Sequence, residues 1–183
     1  MSDAVETIDA SLVTASLKSQ YHAALAMLRE AIERCPDDLW LDVRPRNAFW
    51  QIAYHSLFFA HAYLGDQATF RPWAEHQSDN QNEDGIAGEP DPKSPLPLIP
   101  RPYTKAQALK YWAIVDGMVD RAVGSMDLRR RESGFPRYQM PKFEHQLVNL
   151  RHIQHHTAQL ADRLRAECDL NVPWKGKGPA PKA

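Results

Sequence analysis

Apolar residues recur along this chain at steps of three and four, in long stretches separated by polar or proline-rich breaks. Leu17, Tyr21, Leu25, Leu28, Ile32 and Cys35 make the first stripe. Asp9 or Ser11 is placed to cap its start, and Pro36-Asp37-Asp38 to end it. A second helix is predicted from an N-cap at Asn47 through Phe49, Trp50, Ile52, Leu57, Phe58 and Leu64, with Gly65 at the C′ position. It is apolar around most of its circumference, so burial on several sides is expected. A third helix opens with a capping box, Thr104 to Gln107, and carries Leu109, Trp112, Val119, Val123 and Met126 along one stripe. The turn Ser133-Gly134-Phe135-Pro136 separates it from a fourth, which follows Pro141 and reaches about Leu170. Phe143, Leu147, Leu150, Ile153, Leu160 and Leu164 are the residues of this last helix expected to face inward.

Between the second and third helices the period is lost. Pro90, Pro92, Pro95, Pro97, Pro100 and Pro102 forbid a helix there, and residues 79–88 are polar and turn-forming. A connection from Asp66 to Pro102 is long for a compact domain and reads as a crossover from one end of a bundle to the other. The two short connections make their helix pairs antiparallel, and the long one lets the third helix run parallel to the second. The predicted fold is therefore all-α, a four-helix bundle in up-down-down-up order. Residues 1–172 form its single domain. The tail 173–183, rich in Pro, Gly and Lys, is expected to be mobile.

Composition narrows the function without naming it. Of 183 residues, 43% are hydrophobic and 25% charged, the balance of an ordinary globular chain, and the formal net charge is −1. No basic stripe or nucleic-acid reading motif is present, so no nucleic-acid partner is expected. No apolar stretch approaches the ~20 residues that span a bilayer. Met1 to Thr7 is polar and acidic, unlike a secretory signal. Cys35 and Cys168 make neither a disulfide framework nor a thiolate metal cluster, and are read as free thiols of a cytoplasmic protein.

Histidines carry the candidate chemistry. His152 and His156 stand four residues apart on one predicted helix, which brings two side chains to the same face. His55 lies in the middle of the second helix, where desolvating an imidazole is costly. With those two helices antiparallel, all three rings fall at mid-height. Three neutral imidazoles at ~2.0–2.1 Å from a zinc ion leave a coordination position for water. Nickel, iron and manganese accept the same ligands. His145, two turns before His152, is a rival ligand, whereas His155 and His61 point to other faces, and His22 and His76 read as surface or loop residues. Gln159 is placed to support His156. Asp116 is either a histidine-orienting carboxylate or a solvated one. Tyr54 and Trp50 read as core or as pocket wall. The run Asn80 to Gly85 imitates a calcium loop, but it lacks an initial Asp and has Asp91 at the twelfth position, so it reads as a polar turn.

Two segments, Asn47 to His55 and Leu150 to Leu160, resemble the DinB-like superfamily of metalloenzymes, near the branch of bacillithiol- and mycothiol-dependent transferases. The likeness covers about residues 10 to 170. It implies a four-helix bundle whose metal ligands are one histidine of the second helix and the first and last of an H-x-x-H-H run. Those positions are His55, His152 and His156 here. The chain departs from the family at Thr157-Ala158, where many members carry Arg-Gly, and keeps Gln159. A centre of this kind lowers the pKa of a bound water or thiol. The function expected is thus hydrolysis, or transfer of a low-molecular-weight thiol to an electrophile, on a small-molecule substrate. The alternative is a non-catalytic stress-related or ligand-binding bundle whose metal is structural or absent. A homodimer is compatible with either.

Overall fold

The computed structural model describes residues 9–42, 47–77 and 101–179. Its regular structure is all helical, with no strand among the described residues. Five helices occur among the described residues: α1 (Ala10–Arg34), α2 (Asp37–Trp40), α3 (Phe49–Tyr63), α4 (Lys105–Ser125) and α5 (Lys142–Cys168). None of the described helices is long and apolar enough to cross a membrane.

The predicted caps meet three different outcomes. Asp9 caps α1 as expected, its carboxylate accepting the Ser11 N–H at 2.8 Å. Thr104 and Gln107 close the capping box of α4, each side chain accepting the other residue's backbone N–H at 3.2 and 3.0 Å. The start of α3 differs. Its N-cap is Ala48, one residue beyond Asn47, and an alanine has no acceptor to offer. Gln51 compensates by reaching back from the first turn to take the Ala48 N–H at 2.8 Å. Nor is Gly65 left-handed: among the described residues positive φ occurs only at Gly134 and Asp169. The α3 end closes instead through helical bonds from Leu64 to Ala60 and from Gly65 to Ala62. Pro36, read as a stop, also starts the single turn α2, which buries Leu39 and Trp40. The Trp40 indole donates to the Tyr103 carbonyl at 2.8 Å.

Every residue of the first predicted stripe is buried, from Leu17 to Cys35. The fourth stripe is corrected. Phe143 and Leu147 are exposed (37% and 42%), while Lys142, His145, Gln146 and Asn149 lie inside with Ile153, Leu160 and Leu164. Gln146 and Asn149 can take these places because each finds a partner across the helix interface. Gln146 Oε1 accepts from the Tyr21 hydroxyl at 2.8 Å, and Gln146 Nε2 donates to the Tyr63 carbonyl at 3.0 Å. Asn149 donates to the Ala60 carbonyl at 3.3 Å.

These contacts fix how helices run past one another. Along α3 and α5 the partners are Gly65 with Lys142, Tyr63 with Gln146, Ala60 with Asn149 and His55 with His152, so the two are antiparallel. Between α1 and α5 Tyr21 meets Gln146 and Met27 meets Gln154, a parallel pairing. Against α4, His22 meets Asp116 and Leu25 meets Trp112, which makes α1 and α4 antiparallel. Tyr111 of α4 meets His61 of α3, while Tyr103, just before α4, packs on Trp50 and Tyr54.

One ionic knot ties the α4–α5 connection to the end of α3. Arg130 grips Asp66 through two hydrogen bonds of 2.5 and 2.8 Å. Lys142, only 3% exposed, donates to Asp66 at 2.8 Å and to the carbonyls of Gly65 and Ser133. Those two cations hold the Asp66 carboxyl far below the usual carboxylate range. Gly134 passes so close, with φ of 90°, that a Cβ there would lie 2.0 Å from the Asp66 carboxylate. Beyond α5 the chain turns at Asp169, in the left-handed region that aspartate tolerates better than most residues. The described part of the tail then lies on α1, with Gly178 donating to the Ser19 carbonyl at 3.0 Å and Gln20 donating to the Gly176 carbonyl at 3.1 Å. The calcium-like run at 80–85 and most of the proline-rich connection lie outside the described residues.

Candidate metal centre

His55 comes from the middle of α3, and His152 and His156 from successive turns of α5. The antiparallel register sets His55 opposite His152, and the four-residue step adds His156 to the same face. Their Nε2 atoms converge. His152 Nε2 is 3.2 Å from that of His55 and 3.1 Å from that of His156, and the three ligand atoms all lie within 4.8 Å of one another. Three donors at ~2.05 Å from one ion would be about 3.3 Å apart in a tetrahedron and about 2.9 Å apart on an octahedral face. The two spacings from His152 Nε2 lie between these values.

Hydrogen bonding does not account for this cluster. A neutral imidazole nitrogen either donates one proton or offers one lone pair. His152 Nε2 has two imidazole nitrogens at hydrogen-bond distance, so one proton can satisfy only one of those contacts. A cation accepts all three lone pairs together. The chemistry of the donor set, three neutral nitrogens and no charged ligand, suits a divalent ion of the borderline transition series.

The surroundings keep two of these rings, His152 and His156, neutral. Burial lowers the basicity of His152 to about 2, with further repulsion from His55, His156 and His155. Burial also lowers His156, partly offset by its bond to Gln159. That bond, 2.8 Å from Nδ1 to the amide oxygen, places the proton on Nδ1 and leaves the Nε2 lone pair facing the cluster. Phe59 backs the site, its ring 4.7 Å from that of His55 and 5.4 Å from that of His152.

Other sequence candidates fall elsewhere. His145 is completely buried in a cage of Tyr63, Phe135 and Tyr138, with ring centroids 4.7 to 5.0 Å away. It is therefore no substitute for a ligand. Burial and the nearby Lys142 cation push its pKa down to about 4. His155 is exposed. Asp116 does orient a histidine, but that histidine is His22, at 2.8 Å, on the α1–α4 side. Tyr54 and Trp50 are core residues. Cys35 is buried, and its thiol is pushed up to about 12, so it offers no thiolate. Ser56 and Asn149, which no sequence motif singles out, lie buried on the two helices that carry the histidines. For Asn149 the available signal is the uncharged polar row His145, Asn149, His152 on one face of α5.

Compared with known proteins, the chain matches no family model, no curated protein and no solved structure.

Proposed function

We propose that this protein is a metal-dependent enzyme of the DinB-like kind, transferring a small thiol to an electrophile or hydrolysing a small substrate at a centre held by His55, His152 and His156. The observation that carries the reading is the convergence of three Nε2 atoms, two of them 3.1 and 3.2 Å from the third. The helix directions support a four-helix bundle in up-down-down-up order, with α2 a single turn in its first connection. The resemblance of the Asn47–His55 and Leu150–Leu160 segments to the superfamily supports the same assignment.

A divalent ion bound there would act as a Lewis acid toward a water or thiol. The chain's own part is to present three neutral nitrogens and to hold His156 in one tautomer through Gln159. His55, His152 and His156 are each half-buried, so an ion held by them would be reachable from outside. With Cys35 buried and its thiol protonated, that residue supplies no sulfur for a transfer reaction.

Untagged protein should carry close to one equivalent of a transition metal, as purified or after reconstitution. His55→Ala, His152→Ala and His156→Ala should each reduce it severely. Cobalt-loaded protein should change its visible spectrum when a small thiol is added. Less than a tenth of an equivalent of metal after reconstitution would defeat the proposal. Full metal loading with no spectral response to thiols, and no hydrolysis of test esters or amides, would leave the ion a structural role.

A further inference from the structure

His156 has a protein partner for its outer nitrogen, and His152 has none. His152 Nδ1 is enclosed without a hydrogen-bond partner among the described residues, and the same holds for Asn149 Oδ1 and Ser56 Oγ. Leaving such groups unpaired costs about 1–3 kcal/mol each, and native proteins seldom tolerate it. Three of them on the two helices that carry the histidine cluster call for an explanation.

Their positions bring them together. Asn149 is three residues before His152, on the same face of α5. Helical side chains lean toward the N-terminus, so the His152 ring lies over the turn that carries Asn149. The antiparallel register puts Ser56 of α3 at the height of His152, one residue beyond its partner His55. Ser56 and Asn149 are both completely buried.

Their chemistry is complementary. With Nε2 turned to the cluster, His152 Nδ1 carries the proton and is a donor. The Asn149 amide nitrogen is committed to the Ala60 carbonyl at 3.3 Å, and turning the amide over would set oxygen against oxygen. Asn149 Oδ1 is therefore a free acceptor, and the Ser56 hydroxyl both donates and accepts. None of the three atoms reaches another directly. A buried water commonly makes about three hydrogen bonds to such groups.

We propose that an ordered water accepts from His152 Nδ1–H and is anchored by Asn149 Oδ1 and Ser56 Oγ. Asn149 and Ser56 are then positioning residues for a metal ligand. They do for His152, through water, what Gln159 does directly for His156. The inference rests on the metal reading for its consequence and on the polar atoms for its geometry.

Metal affinity, measured by chelator competition, and the His152 tautomer, measured by nitrogen NMR on metal-free protein, test it together. Asn149→Leu and Asn149→Asp both lose the bond to Ala60 and should both melt lower. Only Asn149→Leu also loses the acceptor. It should bind metal about 10-fold or more weakly, whereas Asn149→Asp retains wild-type affinity or exceeds it. Ser56→Ala, which changes little volume, should weaken binding in the same direction. In wild type and Asn149→Asp the metal-free His152 should carry its proton on Nδ1. In Asn149→Leu the proton should move at least partly to Nε2. Equal loss of affinity in both Asn149 variants, unchanged affinity in Asn149→Leu and Ser56→Ala, or a wild-type His152 protonated on Nε2 would overturn the proposal. Should wild type bind no metal, the metal reading fails by itself, and the tautomer still decides this one.

Discussion

Gln159 sits at the exposed edge of the cluster and touches only one ligand ring, His156. Its substitution therefore separates metal binding from folding. Gln159→Leu should weaken metal binding by about 10-fold or more while moving the unfolding free energy by less than about 0.5 kcal/mol. Chelator competition and urea titration on one preparation read both, and an unchanged affinity would remove Gln159 from the site. His145 offers the opposite case, a histidine with no part in the cluster and a large effect on pH dependence. Its folded pKa is about 4 against an ordinary value of 6.5. Above 6.5 the ring is neutral in both states, and its protonation does not bear on stability. As pH falls from 6.5 toward 4 the unfolded chain takes up a proton that the folded chain refuses, so stability declines through that window. His145→Phe removes this uptake. Metal-free variant should lose less stability than wild type between those pH values, by up to about 3 kcal/mol. Parallel pH profiles from urea unfolding would contradict this.

At the scale of the element, α5 shows what sequence periodicity can and cannot say. The four long helices were legible because apolar residues repeat at helical steps and because Asp9 and Thr104 are strong caps. The histidine cluster was legible because a four-residue step on one helix and a lone histidine in an apolar one define faces. The inward side of the first half of α5 was not legible from hydrophobicity. Phe143 and Leu147 suggested a core stripe, yet Gln146 and Asn149 are the residues inside. Their amides match acceptors and donors on α1 and α3 that only the packed structure supplies. The consequence is an inversion of the usual substitution pattern. Leu147→Lys should stay within about 0.5 kcal/mol of wild type, because it removes an exposed side chain. Leu164→Ala, on the same helix and fully buried, should lose about 2–5 kcal/mol. Denaturant unfolding of the pair would settle the orientation of α5, and a larger loss at Leu147 would refute it.

Over the whole molecule, the knot of Asp66, Arg130 and Lys142 joins segments more than sixty residues apart in the chain. Lys142 is nearly inaccessible, so removing its carboxylate leaves an ammonium with carbonyl partners alone. Asp66→Ala should lower stability by about 3 kcal/mol, the low end for a broken buried pair because Asp66 itself is partly exposed. Gly134→Ala should act at the same place, since its new Cβ would overlap the Asp66 carboxylate. Thermal melts of both variants check this, and a change in either below about 0.5 kcal/mol would show the knot to be dispensable.

The donors of the histidine cluster come from positions 97 residues apart, on two helices that meet only in the folded chain. An ion seated there would cross-link α3 to α5 and suppress their separation. Removing it with a chelator should quicken amide exchange along both helices near the site and leave the α1–α4 face comparatively unchanged. Loading state would then be written into the local breathing of the protein, readable before any substrate is known.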